Sequence, residues 1–218
     1  MSTPPVKDDP LSVPPGVVIP PLRFSVVEDK LYRGSYPRPL NFEFLESLRL
    51  KTILSLTEDP LNEAAAGWCW SRGIDMVHIC PEGGSKKEAP LRHPDAIKIL
   101  QIILDNTRGP LYVHCLNGSE VTGLAMASLR KVQLWATPAI VSEMMRFSET
   151  HSSSFDLFLE EFVGPVTIPK TPTNWLWQGI AEETGFLPHI SKVHIQYENN
   201  AHEHKSLART EATDNTKV

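Results

Sequence analysis

A chain of 218 residues, 41% hydrophobic and 22% charged, carries enough apolar material for one sizeable core with tails to spare. Its formal charge of -5 leaves no whole-surface basic field of the kind that grips nucleic acid or anionic lipid, and no apolar run approaches the roughly 18 to 20 residues that cross a bilayer. Three cysteines, Cys69, Cys80 and Cys115, lack CxxC spacing and so support neither a disulfide framework nor structural zinc. The expectations are no nucleic-acid partner, no membrane, no metal, no cofactor and, since MSTPPVKDDP lacks the order of a secretory leader, a cytoplasmic location.

Seven prolines within residues 1–21 remove too many backbone donors for helix or central strand, so this stretch reads as a disordered arm. Phe24 to Val27 and Leu31 to Arg33 read as short strands about the Glu28-Asp29 turn. Asn41 stands where an N-cap belongs before FEFLESLRL, whose Phe42, Leu45 and Leu48 share one helical face. TILSL is a strand buried on both faces, Leu61 to Arg72 a helix ended at Gly73, and IDMVHI the next strand. After the loop PEGGSKKEAPLR, Pro94 opens a helix through Ile97, Leu100, Ile103 and Leu104, broken at Gly109-Pro110. LYVHC is the next buried strand, LNGSEV a tight loop and TGLAMASLRKVQL an apolar helix behind it; further helices are expected over Pro138 to Phe147 and Phe155 to Phe162. Strands alternating with helices give an α/β layer fold with a mostly parallel sheet. Residues 22–162 form the domain, 163–197 an apolar extension, and 198–218 a polar tail, disordered for want of apolar residues, whose His202 and His204 are solvated side chains.

Chemistry in open α/β sheets sits beyond the carboxyl ends of the strands, where helix N-termini face outward. Cys115 stands there, followed by Leu116, Asn117, Gly118, Ser119, Glu120 and Val121 and then by a helix starting near Thr122 or Gly123. A loop so placed turns backbone N–H groups toward an anion and stabilises a thiolate. The plain alternative makes Cys115 a small buried residue at a strand end and Thr122 merely the helix N-cap.

The order strand, His114-Cys115, five-residue loop, Thr122-Gly123, helix is similar to that of the cysteine-dependent protein tyrosine phosphatases. The blocks LYRGSYPRPLNFEFLESLRLKTILSL and LRKVQLW resemble the plant and fungal atypical dual-specificity phosphatases, the branch linked to oxidant-induced cell-cycle arrest, over about Leu22 to Phe162. The resemblance implies the α/β fold of that family, with a mostly parallel central sheet flanked by helices. It implies Cys115 as nucleophile and residues Leu116 to Val121 as the phosphate-binding loop. It also implies a general acid in the loop that offers Glu82, Glu88 and Asp95, with Glu88 in KKEAP matching a Lys-Glu-Pro run of relatives. The ligands implied are phosphoproteins or inositol pyrophosphates, and the partners are paralogous phosphatase-like subunits.

One departure is decisive for the expected activity. Active members carry arginine six positions after the cysteine, where this chain has Val121, with Glu120 beside it. Valine offers no fork for two phosphate oxygens, and the adjacent carboxylate repels a dianion and disfavours the thiolate. The expectation is a catalytically impaired family member acting as a regulatory or binding subunit. The alternatives are a working phosphatase that borrows a cation from Arg33, Arg38 or Lys86, and a redox-sensing thiol. Ordinary salt bridges from Arg33 and Arg38 to Glu43 or Glu46 are the simpler expectation. Trp68 and Trp70 are assigned to core or edge packing, while Trp175 and Trp177 are candidates for docking on the domain or on a partner.

Overall fold

The computed structural model describes residues 17–83, 88–148, 152–176 and the strand at 194–197. The arm up to residue 16, the tail, Lys86 and Trp177 lie outside the described residues.

Five strands form the main sheet in the order β1-β2-β5-β3-β4, comprising β1 (Ser25–Glu28), β2 (Leu31–Gly34), β3 (Thr52–Ser55), β4 (Asp75–His78) and β5 (Leu111–His114). β1 and β2 make an antiparallel hairpin; every other pairing is parallel, and β5 lies between β2 and β3. Every residue of β3 and β5 is buried, as continuous apolar runs in a sheet covered on both faces require. Successive side chains alternate across the pleat. Ile53 and Tyr112 therefore join Leu45, Trp68 and Cys69 on the face covered by α1 (Phe42–Ser47) and α2 (Glu63–Ser71). Leu54 and Val113 join the larger core on the opposite face, built with α3 (His93–Ile103), α4 (Glu120–Val132), α5 (Thr137–Met145) and α6 (Ser153–Glu161). Trp68 stacks on Phe42 at 4.6 Å between ring centroids, whereas Trp70 is exposed.

The expected order of elements is present. Two differences in detail matter. A 3-10 turn, Pro39–Asn41, precedes α1, and the Asn41 side chain does not cap α1: its Oδ1 accepts from the Arg38 N–H at the start of the 3-10 turn and its Nδ2 donates to the Ile19 carbonyl, tying the N-terminal segment to the domain. α4 begins at Glu120, two residues before Thr122, so Glu120 and Val121 belong to its first turn and Thr122 is not its N-cap. An acidic side chain in the first turn, Glu120, is favoured by the helix dipole. The extension adds β6 (Pro165–Ile168) and, in parallel with it, β7 (His194–Tyr197); Val166, Ile168 and Leu176 are buried in the larger core.

Candidate active site

The loop after β5 is shaped by where its carbonyls go. His114 O accepts from the Leu56 N–H at 2.8 Å and Leu116 O from the Tyr36 N–H at 3.2 Å. Asn117 O accepts from Arg23 Nη1 at 3.2 Å and Gly118 O from Arg33 Nη2 at 2.8 Å. Across a trans peptide the next N–H points the opposite way, so the amides of Asn117, Gly118 and Ser119 are turned from the scaffold. Ser119 N–H donates to Asn117 Oδ1 at 3.1 Å, and the Cys115 thiol donates to the same oxygen at 3.7 Å. A neutral carboxamide oxygen thus sits over the sulfur and takes one of the loop amides. Gly118 has φ +71°, and a Cβ there would lie 2.5 Å from the carbonyl carbon of Gly34, so only glycine allows the loop this close to β2.

Beneath the loop His114 is fully buried, and burial pushes its pKa down to about 4. The neutral ring then donates from Nδ1 to Cys115 O at 3.2 Å and accepts the Ser55 hydroxyl at Nε2 at 2.8 Å. Tyr112 donates its hydroxyl to Ser35 O at 2.6 Å, and its own ionisation is suppressed by burial. The strand-end histidine therefore positions the cysteine peptide and contributes no charge at neutral pH.

Cys115, 4% exposed, lies at the edge of a cavity of about 690 Å³ that Tyr36, Glu58, Asp59, Cys80, Glu120 and Val121 also line. Among the described residues no lysine or arginine lines it. No group of three or more metal-ligating side chains occurs among the described residues either.

The structure thus gathers Cys115 and the loop through Val121, and it leaves Glu88 elsewhere. Glu88 lines a separate groove of about 350 Å³ between the segment 88–94 and α6. Glu82 pairs with Arg92 at 3.2 Å, and Asp95 is buried, accepting from the Glu82 N–H and from Lys98. None of the three lines the Cys115 cavity. Arg33 makes no salt bridge with Glu43 or Glu46; it is buried on the loop, and Arg72 takes Glu46 instead. Two of the three carboxylates that do reach the cavity, Glu58 and Asp59, are not singled out by the sequence reading; the third is Glu120. The signal was there, because Thr57-Glu58-Asp59-Pro60 directly follows β3, and carboxyl ends of adjacent parallel strands converge on one site.

With this geometry in place, the chain can be set beside known proteins. Residues 18–181 match the tyrosine phosphatase family. OCA6 of Saccharomyces cerevisiae, classed by its name with the tyrosine-protein phosphatases, is 32% identical over 69% of this chain and 74% of its own length. Inositol diphosphatase DSP3 of Arabidopsis thaliana is 32% identical over 67% of this chain and 72% of its own. Among solved structures, the core catalytic domain of the S. cerevisiae PP-IP phosphatase Siw14, in complex with citrate, superimposes with a TM-score of 0.62 at 31% identity, covering 67% of this chain and 88% of that one. TpbA of P. aeruginosa shares the fold at 18% identity and a TM-score of 0.51, covering 64% of this chain and 84% of that one. The family model covers most of the chain, relatives about 32% identical match two thirds or more of it, and the chain belongs to the tyrosine phosphatase family.

Proposed function

We propose that the chain is a phosphatase-family protein of impaired phosphoryl-transfer chemistry, acting as a binding or regulatory subunit. The observation that carries this reading is the electrostatic character of the cavity. Val121 occupies the first turn of α4 where the phosphate-clamping arginine of active relatives belongs, and among the described residues the charged side chains that line the cavity with Cys115 are Glu58, Asp59 and Glu120. Among the described residues, a phosphoryl group in this cavity would meet three carboxylates and no lysine or arginine. Losing one transition-state donor costs about 10² to 10³ in rate, and the repulsion adds to it. Some relatives are named inositol diphosphatases, and an acidic lining disfavours a polyanion more strongly than a single phosphate ester. Residues Leu116 to Val121 form an anion cradle by architecture, with Asn117 Oδ1 holding the place of an anion over Cys115. Glu88 does not line the cavity; were any turnover to occur, Glu58 or Asp59, which do, would supply the proton. The partner class that fits is a paralogous phosphatase-like subunit, for which Leu116, 73% exposed at the lip of the cavity, offers an apolar contact.

Purified protein assayed against an aryl phosphate and an inositol pyrophosphate, with Cys115→Ser as control, is expected to show no cysteine-dependent turnover. Robust hydrolysis abolished by Cys115→Ser would overturn the reading. The pair Val121→Arg with Glu120→His is expected to raise inorganic phosphate affinity at least tenfold by isothermal titration.

A further inference from the structure

The cavity beside Cys115 gathers charge of one sign and leaves it unanswered. Glu58 and Asp59 follow β3, Glu120 opens α4, and the three carboxylates share one cavity of about 690 Å³. Among the described residues none of the three makes an ion pair or a side-chain hydrogen bond, whereas Glu46 and Glu82 hold Arg72 and Arg92. Like charges gathered without a counter-ion repel one another, and a cation placed among them relieves that repulsion. The same cavity has apolar walls, Leu56, Pro60, Pro81, Pro90 and Val121, and its size falls within the roughly 300 to 1,000 Å³ of ligand pockets. The donor set does not suit a bare metal ion, because no three metal-ligating side chains come together among the described residues. A cation on an apolar stem fits both halves of the cavity, its head on the carboxylates and its stem along the prolines. The planar fork of a guanidinium meets carboxylate oxygens two at a time, which makes arginine the better match than lysine.

The rim indicates what carries the cation. Leu116 lines the cavity and is 73% exposed, and Leu22, on a neighbouring segment, is 63% exposed. Ser35 N–H donates to Leu22 O and Tyr36 N–H to Leu116 O, so one dipeptide ties down both leucine-bearing segments. A free amine would enter the cavity and leave these leucines in water; a polypeptide would cover them. An arginine seated in a pocket and ringed by apolar contacts is a recurrent anchor of protein interfaces. We infer that this cavity is a docking socket for an arginine side chain of a partner protein, received by Glu58, Asp59 and Glu120, with apolar residues beside that arginine laid on Leu116 and Leu22. The partner thereby supplies a guanidinium to a cavity whose own loop carries Val121. The inference rests on the reading of the chain as a binding subunit and gives that binding its chemistry, a charge preference opposite to that of a phosphate site.

The test is disulfide capture at Cys80, which is exposed and lines the cavity, in a Cys115→Ser background with Cys69 buried. Disulfide probes of equal length, ending in a guanidinium, a urea or a carboxylate, compete with 2-mercaptoethanol for the Cys80 thiol, and intact mass reads the fraction captured. The guanidinium probe is expected to be captured about tenfold more than the urea, and the carboxylate least. Neutralising the three exposed acids together, by Glu58→Gln, Asp59→Asn and Glu120→Gln, is expected to bring guanidinium and urea within about twofold. A fourth probe, the peptide Cys-Gly-Leu-Arg-Leu, is expected to exceed the bare guanidinium about fivefold and to lose that advantage in Leu116→Ser. Equal capture of guanidinium and urea overturns the inference, and so does a preference that survives neutralisation. A peptide captured no better than the bare guanidinium assigns the cavity to small cations and overturns the partner. Should the neutralised variant not fold, the guanidinium preference of the parent protein must shrink about threefold between roughly 0.05 and 0.5 M salt, and one that salt leaves untouched overturns the inference. Cysteine-dependent turnover of an inositol pyrophosphate by the unmodified chain would sink the proposed function and leave the capture ratios standing, so the two failures are distinguishable.

Discussion

Gly118 concentrates the geometric demand of the site in one residue. Its left-handed backbone and its approach to Gly34 leave no room for a methyl group, and the obstructing atoms are backbone, which cannot swing aside. Gly118→Ala is expected to destabilise the fold by about 1 to 3 kcal/mol, measured by urea unfolding, and to loosen the loop first. His114 sets an acid limit. Its folded pKa near 4 lies below the usual value of about 6.5, so between the two the unfolded chain binds the extra proton, and stability climbs as pH rises through that window and is level above it. The loss on acidification is on the order of 3 kcal/mol, and His114→Asn is expected to flatten the slope between pH 4.5 and 7 in urea midpoints. At this scale the sequence was most legible where residues are contiguous. Cys115 and the six residues after it fall together because one strand, one turn and one helix place them. Glu88 failed to reach the cavity and Glu58 and Asp59 did, because which loop faces the cysteine depends on β3 lying beside β5, a non-local fact that spacing does not carry.

At the scale of elements, α4 is tied to its surroundings by a buried arginine. Arg130 bonds Glu28 of β1, both oxygens of Glu143 on α5 at 2.8 and 2.9 Å, and lies over Trp135 at 4.3 Å. Three elements are thereby fixed on one guanidinium. Arg130→Met leaves two partly buried carboxylates without a counter-ion and is expected to cost about 3 kcal/mol by thermal or urea unfolding; Arg130→Met with Glu28→Gln and Glu143→Gln is expected to recover part of it. The periodicity of α3 and α4 and the apolar runs of β3 and β5 were readable, since packing on two faces writes itself into continuous hydrophobic sequence. The start of α4 was not. Thr122 resembles an N-cap, yet its hydroxyl is buried without a partner, and the helix instead begins at an acid, with no side-chain cap from Ser119.

For the whole molecule, the residues beyond Phe162 contribute to the core as well as to length. Val166, Ile168 and Leu176 are each 3% exposed or less, and β6 lies against α3. A chain ended after Phe162 is expected to lose several kcal/mol of burial and to bind a hydrophobic dye that the full chain does not, read by fluorescence at equal concentration. The apolar character of this segment was visible in sequence, but its strand was not, because PVTI is short, opens with proline and acquires its place only against α3. The strand order has a further consequence for synthesis. β5 fills the gap between β2 and β3 yet is made long after both, so a ribosome that has delivered residues 1–109 has released two half-sheets with unpaired inner edges. Until the next few residues emerge the nascent chain presents sticky edges to its neighbours, and stalling in that interval favours aggregation over folding.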